Sequence, residues 1–168
     1  MSNSPVTEHD KFLRFKVFKG FKDRGLPLTK TYTDRIEYEL GVIQETKFAK
    51  YFLIVADLCQ FMRRNGILFN VRGSGCGSVV VWGLGISHKL LDPIRYKLPF
   101  ERFLNPSRVS NPDLDIDIID TRRHEVVQYT IDRYGAERVA HIITFQTLGA
   151  KAAINDVARV MKDELGEG

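Results

Sequence analysis

Apolar residues recur at every third or fourth position through the first 65 residues, and this spacing predicts helices. Phenylalanine at every third position from Phe12 to Phe21 indicates a short amphipathic helix in a polar, basic lead-in. The segment from Lys50 to Arg64 is apolar over much of its girth, which predicts a buried helix. The Asn-Gly pair that follows it is typical of a helix end.

Between these two segments, the pattern predicts a helix with one buried stripe, formed by Ile36, Leu40 and Ile43. Thr31 and Asp34 have the spacing of a capping box, with aspartate in place of the usual glutamate, so this helix is expected to begin there. Its acidic side chains are expected to face away from the core: Glu37, Glu39 and Glu45.

The second half of the chain mixes helix and strand patterns. Residues 79–86 are almost wholly apolar and predict a buried helix, although their valines leave a strand open. Prolines interrupt residues 88–112, which predicts an irregular connection. Residues 113–119 alternate with the period of a strand, residues 139–145 predict another strand, and residues 147–165 predict a final helix.

A further helix is predicted between the two strands, with Thr121 as its cap and Gly135 after its last turn. Its buried stripe is expected to consist of Val127, Ile131 and Tyr134. A strand–helix–strand unit of this length favours parallel pairing across a crossover. The predicted fold class is therefore α/β.

Composition narrows the class of protein. The formal net charge is +4 and the pI is near 9.1, which allows an anionic partner without requiring one. Cys59 and Cys76 lie far apart and form no C-x-x-C pair, so a reduced, cytoplasmic protein is expected. The four histidines lack zinc-ligand spacing, and no apolar run is long enough to cross a bilayer, so no membrane partner is expected.

The sharpest chemical signal is the alternation of Asp113, Asp115 and Asp117. On a strand, residues two apart share a face, so three carboxylates line one side while the apolar residues between them enter the core. Repulsion between like charges is tolerable where divalent cations neutralise them, and two Mg²⁺ ions serve in-line phosphoryl transfer. A solvated strand face is the alternative. An EF-hand calcium loop is excluded because Ile118 and His124 occupy the positions that need glycine and glutamate.

A glycine-rich turn, residues 72–78, is the second signal. Glycines before a helix free backbone N–H groups for a phosphate, and Arg72 can add a bidentate contact. The turn lacks the Gly-Lys-Ser/Thr of a Walker A loop and the spacing of a dinucleotide fingerprint. A tight turn between packed elements is an equal alternative. Three arginines, each by itself a surface charge, together fit the task of holding a triphosphate: Arg95, Arg102 and Arg108.

Three motifs, in this order, resemble the palm of bacterial DNA polymerase III alpha subunits: RGSGCGS at residues 72–78, FERFLNP at residues 100–106 and PDLDID at residues 112–117. Further similar segments extend the resemblance from about residue 10 to the end of the chain: residues 51–55, 142–145 and 151–153.

This resemblance implies a mixed palm-type sheet with packed helices, related to the polymerase beta class of nucleotidyltransferases. It divides the chain into a helical lead-in at residues 1–30, the palm at residues 31–145 and the start of the thumb at residues 146–168. In that class of fold the metal-binding carboxylates lie on a palm strand, which agrees with the alternating acids.

The resemblance also implies a role for individual residues. Asp115 and Asp117 become the catalytic, metal-binding residues for two Mg²⁺ ions, for which Mn²⁺ can substitute, and Asp113 a supporting acid. Lys151 becomes a DNA contact. The residues implied to bind the nucleotide are Arg72, Gly73, Ser74, Gly77, Ser78, Arg102 and Arg108.

The implied reaction is transfer of dNMP from dNTP to the 3′-hydroxyl of a primer during DNA replication. The implied partners are primer–template DNA, dNTP, and other replisome subunits or further segments of the polymerase. The family's PHP domain, fingers and third catalytic carboxylate fall outside this sequence, so little or no activity is expected from the chain alone. Two alternatives stay open. One is a non-catalytic piece that binds nucleic acid or a partner, and the other is a small nucleotidyltransferase whose third acid is Asp120 or Asp156.

Overall fold

A computed structural model describes residues 5–107, 111–142, 147 and 149–164, with side chains to residue 161. Within that part, most residues are helical and one small sheet has two strands. The helices and strands, in chain order, are α1 (Glu8–Asp23), α2 (Lys30–Glu45), α3 (Ala49–Arg64), β1 (Phe69–Arg72), α4 (Val79–Gly83), β2 (Asp115–Ile118), α5 (Arg123–Tyr134) and α6 (Ala150–Glu164).

The short helix α4 lies at the centre of the fold, between α1 and α2, and α1 also packs on α3. All five residues of α4 are buried. The α1 and α4 backbones touch, since a side chain on Gly20 would collide with the carbonyl oxygen of Gly83. Trp82 packs edge-on against Phe21 at 5.5 Å between ring centroids, and its indole N–H donates to the carbonyl of Lys89 at 3.1 Å. The helix predicted for this apolar segment is confirmed, over 79–83.

Helix α1 buries a different stripe from the one predicted. Leu13, Val17 and Phe21 face the core, whereas Phe12 and Phe15 are 49% and 59% exposed. Nine residues along an α-helix amount to a rotation of about 180°, so Phe12 and Phe21 cannot share a face. The threefold spacing was therefore misleading about which residues are buried.

Two predicted caps are wrong. Helix α2 begins at Lys30 with Thr29 as its cap residue, two positions before the predicted Thr31, and no side chain caps it. Helix α5 begins at Arg123, and Thr121 lies in a 3-10 turn instead of capping it. The one capping box of the described helix starts is at Thr7, whose hydroxyl accepts from the backbone N–H of Asp10.

The predicted end of α5 is confirmed, because Gly135 follows the last turn with a φ of +94°. Its buried side is centred on Val126, one residue from the predicted stripe. Tyr129 lies on the same side and stacks on Phe61 of α3 at 3.9 Å. This ring contact, together with hydrogen bonds from the hydroxyls of Tyr129 and Tyr134 to Asp57, fixes α5 against α3.

The sheet corrects the expected topology. Strand β2 pairs with β1 in antiparallel register, so the parallel crossover predicted from the strand–helix–strand pattern is wrong for the described residues. The described part of the second predicted strand, residues 139–142, is not a strand, and residues 143–145 lie outside the described part. Helix α6 confirms a helix in the last segment. No helix in the described ranges has the length and apolarity to span a bilayer.

Candidate nucleotide and metal site

The carboxylate strand β2 lies beside the strand that leads into the glycine turn. In the register of the pair, Arg72 lies opposite Asp115 and Asn70 lies opposite Asp117. These four residues share one face, because alternate residues of a strand point the same way. Ile116 and its apolar neighbours on β2 pack against the core, as predicted. Two sequence segments more than forty residues apart are thereby joined at one surface.

Arg72 connects the two carboxylates of this face, Asp115 and Asp117, which we call the carboxylate pair. Its Nε lies 3.0 Å from Oδ1 of Asp117, and its Nη1 lies 3.4 Å from Oδ2 of Asp115. The hydrogen bond to Asp117 is the largest cause of a raised pKa of Arg72, and the charges of the carboxylate pair add to it. One cationic group therefore already bridges two acids, where the sequence suggested a phosphate contact for Arg72.

The carboxylate pair remains open to solvent. The side chains of Asp115 and Asp117 are 41% and 57% exposed. The residues described bring together no group of three or more His, Cys, Asp or Glu side chains that could hold a metal ion. Two carboxylates suit Mg²⁺, which is commonly bound through one or two carboxylates together with water and substrate phosphate oxygens. The two carboxylates therefore suit Mg²⁺ or Mn²⁺, but they supply only part of the ligands that such an ion needs.

The first half of the glycine turn touches the carboxylate pair. Gly73 has a φ of +79° and a ψ of −159°, a backbone conformation that is essentially restricted to glycine. A Cβ on Gly73 would lie 3.0 Å from Oδ2 of Asp115. Gly73 and Ser74 are both exposed. Glycine is thus favoured here by the backbone conformation, and the carboxylate of Asp115 lies close to it.

The second half of the turn faces inward. A side chain on Gly75 would collide with Leu114, and a Cβ on Gly77 would lie 2.7 Å from the carbonyl oxygen of Pro99. Ser78 is fully buried, and its hydroxyl accepts from the backbone N–H of Val81 at 3.1 Å. Of the predicted nucleotide contacts, the structure therefore brings Arg72 and Gly73 to the carboxylate pair. Ser74 follows them on the surface, and Gly77 and Ser78 are buried.

A buried glutamate, Glu39, holds this turn in place. The sequence predicted that this residue would face solvent. Glu39 is 0% exposed, which corrects its predicted orientation. It accepts from the hydroxyl of Ser78 at 2.7 Å, from the backbone N–H of Val79 at 3.1 Å and from that of Val80 at 3.0 Å. Arg35 completes the set with a 2.8 Å contact from Nε. Burial raises the pKa of Glu39, and the hydrogen bonds oppose that shift.

Arg35 extends the same support to the next loop. Its Nη2 lies 3.3 Å from the carbonyl oxygens of both Gly77 and Leu98. The signal for this arrangement was present in the sequence. Glu39 lies three residues after Ile36 and four before Ile43, on the face that they bury, and Arg35 is its (i, i+4) partner.

Tyr51 anchors the beginning of the carboxylate segment. Its hydroxyl oxygen accepts from the backbone N–H of Leu114 at 3.2 Å. Burial raises the pKa of Tyr51, the bond from Leu114 lowers it, and the charge of Asp113 raises it. The residue before β2 is thereby tied to α3, so both neighbours of the carboxylate pair, the turn and the strand, are held by helices.

The other predicted site residues lie further along the chain. Arg102 is exposed at the end of a 3-10 turn, Phe100–Arg102, that packs on the glycine turn. Arg95 is exposed in the preceding loop, and Lys151 is exposed on α6. Arg108 lies outside the described residues. Of the two acids considered for a third ligand, Asp120 is exposed just after β2, and Asp156 pairs with Arg159 on α6 at 3.4 Å.

The sequence of this chain matches a known family over nearly its whole length. The model of the bacterial DNA polymerase III alpha NTPase domain matches residues 11–167. The chain belongs to this family. The resemblance of the three motifs to the alpha-subunit family is therefore confirmed.

Relatives from distant bacteria agree with this assignment. The chain is 49% identical over 155 residues to the DNA polymerase III subunit alpha of Bacillus subtilis, covering 92% of this chain and 14% of the relative. Its identity to the subunit of the same name from Caulobacter vibrioides is 47% over 160 residues, with the same two coverages. With that of Rickettsia felis it is 51% over 148 residues, or 84% of this chain and 12% of the relative. The chain thus spans about one seventh of the length of these relatives.

Proposed function

We propose that this chain is part of a DNA polymerase palm and holds the incoming dNTP and its metal ions during nucleotidyl transfer. The observation that carries the proposal is the convergence of Arg72, Gly73 and the carboxylate pair from two distant segments on one exposed surface. We assign residues 31–145 to the palm, residues 1–30 to a helical lead-in and residues 146–168 to the start of the thumb.

The carboxylate pair would hold the two divalent ions, which, when bound, polarise phosphoryl oxygens and activate the primer 3′-hydroxyl. Asp115 and Asp117 share one strand face and are both partly exposed to solvent, which suits this role. Asp113, two residues before the strand begins, is proposed as the supporting acid. Mg²⁺ is the expected ion, and Mn²⁺ is expected to replace it.

Arg72 is proposed to change partners. Without a nucleotide its guanidinium neutralises the carboxylate pair. When cations take over that neutralisation, its planar fork is released to bind phosphate oxygens in a bidentate contact. Gly73 and Ser74 supply exposed backbone close to the same point. Gly77 and Ser78 support the turn from below, and Arg102 and Arg108 are proposed as further contacts to the triphosphate.

The wider setting follows from the family. We infer that the whole protein acts in bacterial DNA replication in the cytoplasm, with primer–template DNA and other replisome subunits as partners. Lys151 is proposed to contact the DNA backbone. With two carboxylates brought together in the described residues, we expect no primer extension by this chain alone, because phosphoryl transfer depends on close alignment of its reacting groups.

Magnesium-dependent binding of a fluorescent dATP analogue tests the proposed function. Wild type is expected to bind the analogue with Mg²⁺ and to lose it with EDTA. The Asp115→Asn/Asp117→Asn double variant should show no Mg²⁺-dependent binding. A double variant with the same charge change on exposed residues elsewhere, Asp34→Asn/Asp132→Asn, should bind like wild type. Equal binding by all three proteins, with or without Mg²⁺, would favour a non-catalytic palm-like piece.

A further inference from the structure

A second concave surface lies apart from the carboxylate pair. An open cavity of about 750 Å³ is lined by α1, α3, the end of α4 and the chain around the end of α5. We call it the basic cavity, because seven Lys or Arg side chains line it and only two acids, Asp23 and Asp57, do so. Both acids are already engaged, Asp23 by Lys19, and Asp57 by two tyrosine hydroxyls and Arg133. None of Arg72, Asp115 and Asp117 is among the residues that line it.

Two arginines from different helices meet in the basic cavity. Arg24 follows α1, and its guanidinium donates to the carbonyl oxygens of Trp82 and Ser87. Arg63, near the end of α3, donates to the carbonyl oxygen of Gly85. Burial, and then the charge of Arg63, lower the pKa of Arg24. Among the described residues no carboxylate pairs with either arginine, so two positive charges face each other unneutralised.

The backbone of Gly85 marks the point where the two guanidinium groups converge. A Cβ on Gly85 would lie 3.4 Å from Nη1 of Arg63 and 3.6 Å from Nη1 of Arg24. Gly85 also has a φ of +73°, which favours glycine. Each guanidinium has five N–H donors, and the backbone carbonyls take up only some of them. The remaining donors suit an anion with several oxygens, such as a phosphate.

An aromatic surface adjoins this basic lining. Phe12 lines the cavity and is about half exposed, and Lys16 lies over its ring at 5.4 Å. Phe15 is exposed next to it, with 6.4 Å between the two ring centroids. Proteins that bind single-stranded nucleic acid combine a positively charged groove for the backbone with aromatic side chains on which bases stack. A duplex hides its base faces, and the acidic side chains of a peptide carry no flat ring to place on Phe12.

We propose that the basic cavity binds single-stranded nucleic acid, with a backbone phosphate between Arg24 and Arg63 and a base stacked on Phe12. The site is separate from the carboxylate pair and needs no metal ion. The proposal accounts for the exposed phenylalanines of α1, which do not pack in the core. The bound phosphate would neutralise the two arginines that have no carboxylate partner among the described residues.

Fluorescence anisotropy of a labelled oligo(dT) of about 15 nucleotides, in EDTA, tests this proposal. Wild type is expected to bind, with affinity falling steeply as salt rises. Lys16→Glu/Lys50→Glu should weaken binding at least about tenfold, because both side chains line the cavity. Lys30→Glu/Lys89→Glu makes the same charge change outside the cavity and should bind oligo(dT) like wild type at the same salt concentrations. Equal weakening by both double variants would overturn the proposal.

Two further variants test whether the bound phosphate belongs to a nucleic acid or a small anion, and whether it binds in the basic cavity. Phe12→Ala removes only an exposed ring and should weaken oligo(dT) binding about tenfold while leaving competition by inorganic pyrophosphate unchanged. Two results together would show a site for small anions: no effect of Phe12→Ala, and competition by pyrophosphate that equals that of oligo(dT) per phosphate. They would contradict the proposed stacking of a base on Phe12. Asp115→Asn/Asp117→Asn should bind oligo(dT) like wild type. Failure of the carboxylate pair to bind nucleotide can therefore be distinguished from failure of the basic cavity to bind oligo(dT). Tighter binding by that variant would place the oligonucleotide beside the carboxylate pair, because removing two negative charges strengthens the binding of a polyanion there, and would overturn the proposal.

Discussion

Glu39 and the carboxylate pair contain the same chemical group in opposite surroundings. Glu39 is fully buried and accepts four hydrogen bonds, two of them from the first N–H groups of α4. Asp115 and Asp117 lie on an exposed strand face and share one guanidinium. The acceptor capacity of Glu39 is used up by the protein itself, whereas that of the carboxylate pair is largely free for water, metal ions or substrate.

Because of this difference, Glu39 stabilises the glycine turn, whereas Asp115 and Asp117 are available to bind a ligand. A buried carboxylate with every partner inside the fold can only stabilise its surroundings, and any change at it leaves polar groups unsatisfied. An exposed pair with one exchangeable partner can be altered with little effect on the fold. Substitutions at the two places should therefore have opposite consequences, in stability at Glu39 and in ligand binding at the carboxylate pair.

The largest expected effect is that of Glu39→Ala. It removes two acceptor oxygens that together accept four hydrogen bonds, leaves the N–H groups of Val79 and Val80 buried without a partner, and deprives Arg35 of its carboxylate. We expect the free energy of unfolding to fall by about 3–5 kcal/mol, measured by urea denaturation. Glu37→Ala is the matched control on the same helix, because Glu37 is exposed, and it should have a small effect. Equal losses for the two variants would contradict the assigned role of Glu39.

A smaller loss is expected for Gly73→Ala, at the boundary between the two regions. The backbone conformation of Gly73 is unfavourable for alanine, and the new Cβ would press on Asp115 at 3.0 Å. A loss of roughly 1–3 kcal/mol is expected. Gly66→Ala serves as the comparison, because Gly66 also has a positive φ, +63°, but a Cβ there meets nothing within 4 Å. A cost no greater than that of Gly66→Ala would show that the turn tolerates a side chain.

The smallest effect is the pH dependence that Glu39 adds. Burial raises the pKa of Glu39 above its ordinary value of 4.5, so the folded protein retains this proton at pH values where the unfolded chain has lost it. Its contribution to stability is complete below the unfolded pKa and is lost as pH rises through the folded pKa. Glu39→Gln cannot titrate there. The stability of wild type relative to Glu39→Gln should therefore fall as pH rises above the ordinary pKa of 4.5. A constant or rising difference would contradict the raised pKa.

Local patterns predicted those elements whose own sequence decides their structure. Helix α3 and strand β2 were predicted, because an apolar run of helical length and a strict alternation leave few alternatives. Helix α4 was predicted only as one of two options. Its three valines favour a strand, and the helix forms because Ser78 and Glu39 satisfy its first N–H groups.

Long-range contacts account for what the sequence could not predict. The partner of β2 is β1, more than forty residues earlier, and no local signal distinguishes that pairing from a parallel crossover. The spacing of Ile36 and Ile43 could have placed Glu39 on the buried face of α2, but its partners on α4 depend on α4 lying against α2. Spacing singled out Asp113, Asp115 and Asp117, and the family resemblance selected the last two as metal-binding residues. Their contact with Arg72 follows from the register of the two strands.

The central claim is that the carboxylate pair binds divalent ions in exchange for the guanidinium of Arg72. Electron paramagnetic resonance of free Mn²⁺ measures this directly in wild type, Arg72→Gln and Asp115→Asn/Asp117→Asn. Arg72→Gln removes the competing cation and should bind Mn²⁺ several-fold more tightly than wild type, whereas the double variant should bind none at this site. Equal Mn²⁺ affinity in all three proteins would contradict the claim.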